Sequence, residues 1–239
     1  MAPPPGYVPY GGYGAVNASF QKVGGLIKAL VILLIILVPL QVIGVFASLS
    51  LIDKAKKYLD SNGATDFDGT QNSISSLSGL LIIPIAVLTM IVMYKMANNL
   101  KALGRTGATW APGWAIGGWF VPPCVLYVVP WLMFKELWKG SDPDLAPGDP
   151  NWKQGPVAPI VTIWWVMYGL LPLASIFTVG SMFSQLSKGD DSNEVLAKQL
   201  SDYATISTVL SVIAIGTTIV YLLMIRQLGA RHMKATREA

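Results

Sequence analysis

PGWAIGGWFVPPCVLYVVPW, residues 112–131, is the stretch whose reading decides the fold. It is apolar enough to pass for a membrane span, yet it carries four prolines and three glycines and sits inside a run of tryptophans. If it crosses a bilayer, the two ends of the chain face opposite compartments. If it enters and leaves by one face, they share a compartment.

The surrounding sequence supplies the context. Of 239 residues, 53% are hydrophobic and 13% charged, against about 25% charged in a soluble domain, and mean hydropathy is +0.52. The missing charge is concentrated in four long apolar runs: Ala29 to Ile52, Leu77 to Tyr94, Ile160 to Phe183 and Tyr203 to Ile225. A helix needs roughly 20 apolar residues to cross the hydrocarbon core, so the runs predict an all-α polytopic membrane protein with four transmembrane helices. The first run is too long for the apolar core of a signal peptide and ends on Asp53, Lys54, Lys56 and Lys57 rather than a small-residue cleavage site. It reads as a retained anchor. The basic pI of about 9.1 reflects cations at the ends of apolar runs, where they orient helices and meet anionic lipid. It gives no reason to expect nucleic acid.

Charge placement then decides between the two readings of 112–131. A fifth crossing would put one basic end outside, either Lys22 and Lys28 or Arg226, Arg231, Lys234 and Arg237, against the positive-inside tendency. With four crossings both termini are cytoplasmic, and twelve cations lie inside against five outside. Residue chemistry agrees. Six of the eight tryptophans (Trp110, Trp114, Trp119, Trp131, Trp138 and Trp152) lie in or beside the segment, and indole favours the headgroup level. Pro122 and Pro123 remove backbone donors from any continuous helix. Beyond Pro130, WLMFKELWKG is amphipathic, as in a helix lying in the interface. The expectation is a Trp/Pro-rich re-entrant or interfacial segment on the cytoplasmic side.

The resulting organisation is a Pro/Gly/Tyr-rich cytoplasmic tail (1–22), a first transmembrane hairpin (23–98), a cytoplasmic re-entrant linker (99–156), a second hairpin (157–226) and a basic C-terminal tail (227–239). The halves look related, giving a possible 2+2 hairpin repeat. PLQVIGVFASLSLIDK from Pro39 parallels PLASIFTVGSMFSQLSK from Pro172, and Pro39 to Lys95 and Pro172 to Arg226 span 56 and 54 positions.

The linker motif PGWAIGGWFVPP followed by ELWKGSDPD resembles the signature of an uncharacterised bacterial membrane family, frequent in actinobacteria and catalogued as domain of unknown function four-three-two-eight. The sequence departs from that pattern at Pro123-Cys124 and at Lys139-Gly140, where Arg-Ala is more usual. The resemblance implies a bacterial plasma membrane and a shared fold, and it implies no activity.

Motifs for catalysis are sparse. One histidine, His232, falls in the charged tail, and the one cysteine is Cys124, fewer ligands than haem, zinc or iron–sulfur sites use. No cofactor or metal is expected, and no catalytic residue is assigned. GWAIGGW lacks the Lys-Ser/Thr and the preceding strand of a phosphate loop. The four runs hold no Asp, Glu, Lys, Arg or His, whereas coupled carriers place such groups inside the bundle. Gln41, Thr89, Thr162, Thr208, Thr217 and Thr218 read as interhelical hydrogen-bond partners.

The remaining signals concern association. MAPPPGYVPYGGYG is too poor in core-forming residues to fold alone and suits docking on a partner groove. Interface candidates are Tyr7, Tyr10 and Tyr13 in that tail, and Trp114, Trp119, Trp131, Glu136, Trp138 and Asp142 in the linker. The expected function is a non-catalytic integral membrane subunit or scaffold of a larger bacterial complex. Its partners would be membrane lipids and other membrane-protein subunits, with homo-oligomers also open. A passive channel or carrier for a small neutral or lipid substrate is the alternative.

Overall fold

A computed structural model describes residues 20–61, 74–121, 128–169, 171 and 193–238. Among these there is no strand. The helices are α1 (Gly24–Asp60), α2 (Ile74–Ala102), the single turn α3 (Trp114–Gly117), α4 (Val128–Gly140), α5 (Pro159–Gly169) and α6 (Asn193–Thr236), with a 3-10 turn at Trp152–Gln154.

Three helices, α1, α2 and α6, are long and apolar enough to cross a membrane, rather than the four expected. The third expected run, Ile160 to Phe183, is described only as far as the short apolar helix α5 and Leu171, and its remainder lies outside the described residues. A second difference is helix length. α1 has 37 residues and α6 has 44, about 55 and 65 Å at 1.5 Å per residue. Both exceed a hydrocarbon core of about 30 Å. The charged stretch after the first run, expected as loop, is helical through Asp60, with Lys57 Nζ 2.9 Å from Asp53 Oδ2 on the helix surface. At the other end α6 continues unbroken past residue 226, so the expected basic tail is its last turns.

α1 illustrates how sequence sets the packing. Ile27, Leu30, Leu34 and Leu37 are buried at three- and four-residue spacing, one face of a helix. Around that narrow stripe Ile32, Ile35, Ile36, Ile43 and Phe46 remain exposed, Phe46 at 66%. A soluble helix places polar residues there. An apolar outer face this long is what a helix surrounded by lipid presents.

Named contacts fix the helix directions. A methyl group added at Gly229 of α6 would meet Ile27 Cδ1 of α1 at 2.7 Å, and one at Gly24 would meet Met233 Sδ at 3.0 Å, so α1 and α6 are antiparallel. α2 runs parallel to α6, with Thr89 Oγ1 2.6 Å from Tyr221 Oη and Asn99 Nδ2 2.9 Å from His232 Nε2. α5 opposes α6, because Trp164 packs 5.4 Å from Tyr221 while Met167 Cε faces Gly216. The start of α1 and the ends of α2, α4 and α6 therefore gather at one end of the bundle, with the linker.

α4 is more enclosed than an interfacial helix with one wet face. Val129, Pro130, Met133, Phe134, Leu137, Trp138 and Gly140 are buried, and no residue of α4 is fully exposed. The approach to it doubles back. Thr109 and Trp110 donate backbone N–H bonds to Glu136 near the end of α4, whereas Gly118 lies against the Val129 side chain near its start. Residues 109–118 thus run antiparallel to α4.

Candidate functional site

The polar end of the bundle is built from the terminus of α2. Gly104 adopts φ +69°, its N–H bonds to Lys101 O at 3.0 Å, and Arg105 N–H bonds to Leu100 O at 2.9 Å. This is a Schellman stop, which requires a left-handed residue at the position of Gly104. A Cβ there would also come within 3.0 Å of the Gly148 backbone, whose N–H bonds to Leu103 O. The turn aims Arg105 into the loop after α4. Its guanidinium, 2% exposed as a residue, donates to the carbonyls of Gly140, Asp142, Leu145 and Ala146. Burial lowers its pKa, opposed by Asp149 and Asp142. Arg105 holds the SDPD loop by its backbone.

That loop presents Ser141 to His232, and both residues are fully buried. Ser141 Oγ lies 2.7 Å from Nδ1 and Asn99 Nδ2 lies 2.9 Å from Nε2. The Asn99 amide is oriented by the backbone of Gln21, whose N–H donates to Oδ1 at 2.8 Å and whose carbonyl accepts from Nδ2 at 2.9 Å. Nδ2 therefore donates to His232 Nε2, which must be unprotonated. The ring is neutral and carries its proton on Nδ1, where it donates to Ser141 Oγ. His232 lies two turns beyond the apolar run, and burial pulls its pKa down to about 4, against a raising influence from Glu238. This Ser–His pair has the wrong polarity for nucleophile activation, because the nitrogen facing the hydroxyl holds the proton that a general base would need to accept.

Charged groups complete the assembly. Arg231 pairs with Asp142 through Nη2 and Oδ2, donates to Trp138 O at 3.2 Å and lies 5.7 Å from the Trp138 ring centroid. Asp142 Oδ1 accepts from Asp144 N–H. Glu238 accepts the backbone N–H groups of Val23 and Gly24, placing a carboxylate at the start of α1, where the helix dipole favours it. Glu136 holds the 109–110 backbone, and Lys153 bonds Thr109 Oγ1 at 3.1 Å.

Of the expected interface residues, Trp138 and Asp142 are thus brought together on Arg231, and Glu136 is engaged separately by the backbone of Thr109 and Trp110. Trp131 stacks on Trp165 at 4.3 Å, Trp119 packs edge-on to Tyr168, and Trp114 is 43% exposed with its edge to Trp110. Tyr7, Tyr10, Tyr13 and Cys124 lie outside the described residues. His232, expected in a polar tail, is instead at the centre. Asn99, Arg105, Ser141, Arg231 and Glu238 carried no sequence signal of this role beyond the SDPD motif itself.

Among comparisons with known proteins, the profile of the domain of unknown function DUF4328 matches residues 56–230. The chain belongs to the DUF4328 family. No curated protein and no solved structure matched it. The DUF4328 match covers the end of α2 and ELWKGSDPD and runs into α6, and it leaves Gln21, Arg231, His232 and Glu238 beyond its bounds.

Proposed function

We propose that this DUF4328 protein is a non-catalytic, multi-pass subunit or scaffold of a bacterial plasma-membrane complex. The observation that carries the reading is where the N-terminal tail leaves the bundle. Gln21 is bonded to Asn99 on both its N–H and its carbonyl, and Lys95 Nζ reaches Lys22 O at 3.4 Å. The chain is thereby held at residues 21 and 22 at the end that also holds the start of the linker, and the linker leaves Trp114, Ile116 and Phe120 exposed farther along α4, Phe120 at 74%. A fixed anchor for a tail suited to docking fits a partner-binding role better than a substrate path.

Helix directions support four crossings, and the cation count favours the cytoplasm for both termini. α2 arrives at the polar end and α6 sets out from the opposite one, which suits an odd number of crossings between them. α5 runs in the required direction, and we keep residues 112–131 on the cytoplasmic side as a re-entrant element, a reading that the contact of Gly118 with Val129 supports. The carrier alternative rests on Gln41, whose buried Oε1 lacks a partner among the described residues. The threonines lend it little, since Thr89 pairs with Tyr221 and Thr217 and Thr218 bond back to their own helix.

The test is purification of the full chain from its native membrane in mild detergent, beside a form lacking residues 1–19. A stoichiometric partner set, lost with the tail, is expected. A chain that purifies alone in both forms overturns the subunit reading.

A further inference from the structure

Cations at the polar end of the bundle fall into one band. Ile27 lies against Gly229, which sets Lys28 of α1 level with Leu228 of α6. The Thr89–Tyr221 and Asn99–His232 contacts set Lys95 of α2 level with the same residue. Arg226 is two positions away on α6, about 3 Å along the axis. Lys135 of α4 falls between the Phe134–Tyr221 and Trp138–Arg231 contacts, within the same band. Three of these residues directly abut apolar runs: Lys28 precedes Ala29, Lys95 follows Tyr94 and Arg226 follows Ile225. Three helices thus change from apolar to basic at one depth, which marks the edge of the hydrocarbon layer.

No carboxylate among the described residues neutralises the band. None of the four cations forms an ion pair there; Lys95 reaches the Lys22 carbonyl and Lys135 the Trp131 ring. The acids of this end are engaged elsewhere: Glu136 with the backbone of Thr109 and Trp110, Asp142 with Arg231, and Glu238 with the start of α1. Asp144 and Asp149 follow the end of α4, farther from the apolar runs. Lys28 and Arg226 are exposed, and one turn deeper on the same helices so are Ile32 and Leu223. A free cation one turn above an exposed apolar side chain matches a lipid, with its charged headgroup above its acyl chain. We infer that this band is an open binding surface for anionic phospholipids of one leaflet, their headgroups on Lys28, Lys95 and Arg226 and their chains along Ile32 and Leu223. It rests on the membrane location of the bundle and is independent of whether the protein is a subunit.

The experiment reconstitutes the full chain in phosphatidylcholine vesicles and reads the fraction of spin-labelled phosphatidylglycerol, or of spin-labelled phosphatidylcholine, that the protein immobilises. Wild type should favour phosphatidylglycerol by about fivefold, what one cation is worth at an anionic membrane surface. The preference should shrink as salt rises, because exposed charges are screened. Lys28→Gln with Lys95→Gln and Arg226→Gln should bring the two lipids level. Lys54→Gln with Lys56→Gln and Lys198→Gln removes the same charge from exposed positions at the opposite end, and should leave the preference intact. Equal immobilisation of the two lipids by wild type overturns the surface. So does a preference that both triple variants lose alike, since net charge then accounts for it, or one that neither loses. Lys28→Gln alone changes an exposed side chain with no ion-pair partner among the described residues. It should already lower the preference, so the inference stays testable if the triple variant fails to fold.

Discussion

His232 shows how one residue can close a fold. Its neutral ring bridges α2 and the SDPD loop, and its protonation would turn Nε2 toward the Asn99 amide donor, which Gln21 prevents from flipping. The consequence for pH follows from the lowered pKa of about 4. An unfolded histidine titrates near 6.5, so between pH 6.5 and 4 the unfolded chain binds the extra proton. Stability contributed by His232 is complete above that window and is lost as pH falls through it, by roughly 3 kcal/mol. Thermal melts in detergent should show this loss in wild type and a flatter profile over the same window in His232→Gln, which starts from a lower midpoint. Gly104→Ala should be damaging for a different reason, since the left-handed backbone and the Gly148 contact both reject a Cβ. A loss of about 2 kcal/mol is expected, read as a drop in melting temperature. Gly104 lies within the expected linker (99–156), so in sequence the helix already ends before it. The role of His232 was not legible, because its partners lie 133 and 91 positions away and nothing local marks them.

At the scale of elements, apolar runs were legible because lipid imposes composition as well as periodicity. Helix ends were less so. Residues 53–60 of α1 and 226–236 of α6 are charged and polar, and such a stretch reads alike whether helical or coiled; only packing against neighbouring elements extends the helix. α4 was legible as amphipathic, but its enclosure depends on residues 109–118 folding over it, a long-range contact made through Glu136 and Gly118. Two side chains test how the elements are clasped. Arg231 and Asp142 are only partly exposed, at 26% and 17% of their side-chain surface. A double-mutant cycle with Arg231→Gln and Asp142→Asn should give a coupling of about 1–2 kcal/mol, above that of a surface pair. Glu238→Gln should weaken the cap on α1 by about 1 kcal/mol, seen as faster amide exchange at residues 23–27 with the rest of α1 unchanged.

For the whole molecule, the direction of each helix matters more than its length. α1, α2, α5 and α6 alternate in direction, as two successive hairpins would, in keeping with the likeness between the Pro39 and Pro172 segments. Composition placed the chain in a membrane class and charge asymmetry suggested its orientation; which helices pair, and that Gln21 and His232 converge on one buried polar cluster, needed three dimensions. The most direct measurement is cysteine accessibility in intact cells, on a Cys124→Ser background with single cysteines at Ser61, Ser192, Asp149 and Ala239. A membrane-impermeant thiol reagent should label 61 and 192 at once, and 149 and 239 only after permeabilisation. Labelling of 239 from outside while 61 is also labelled would mean that residues 112–131 cross the bilayer, and the four-crossing arrangement would be wrong.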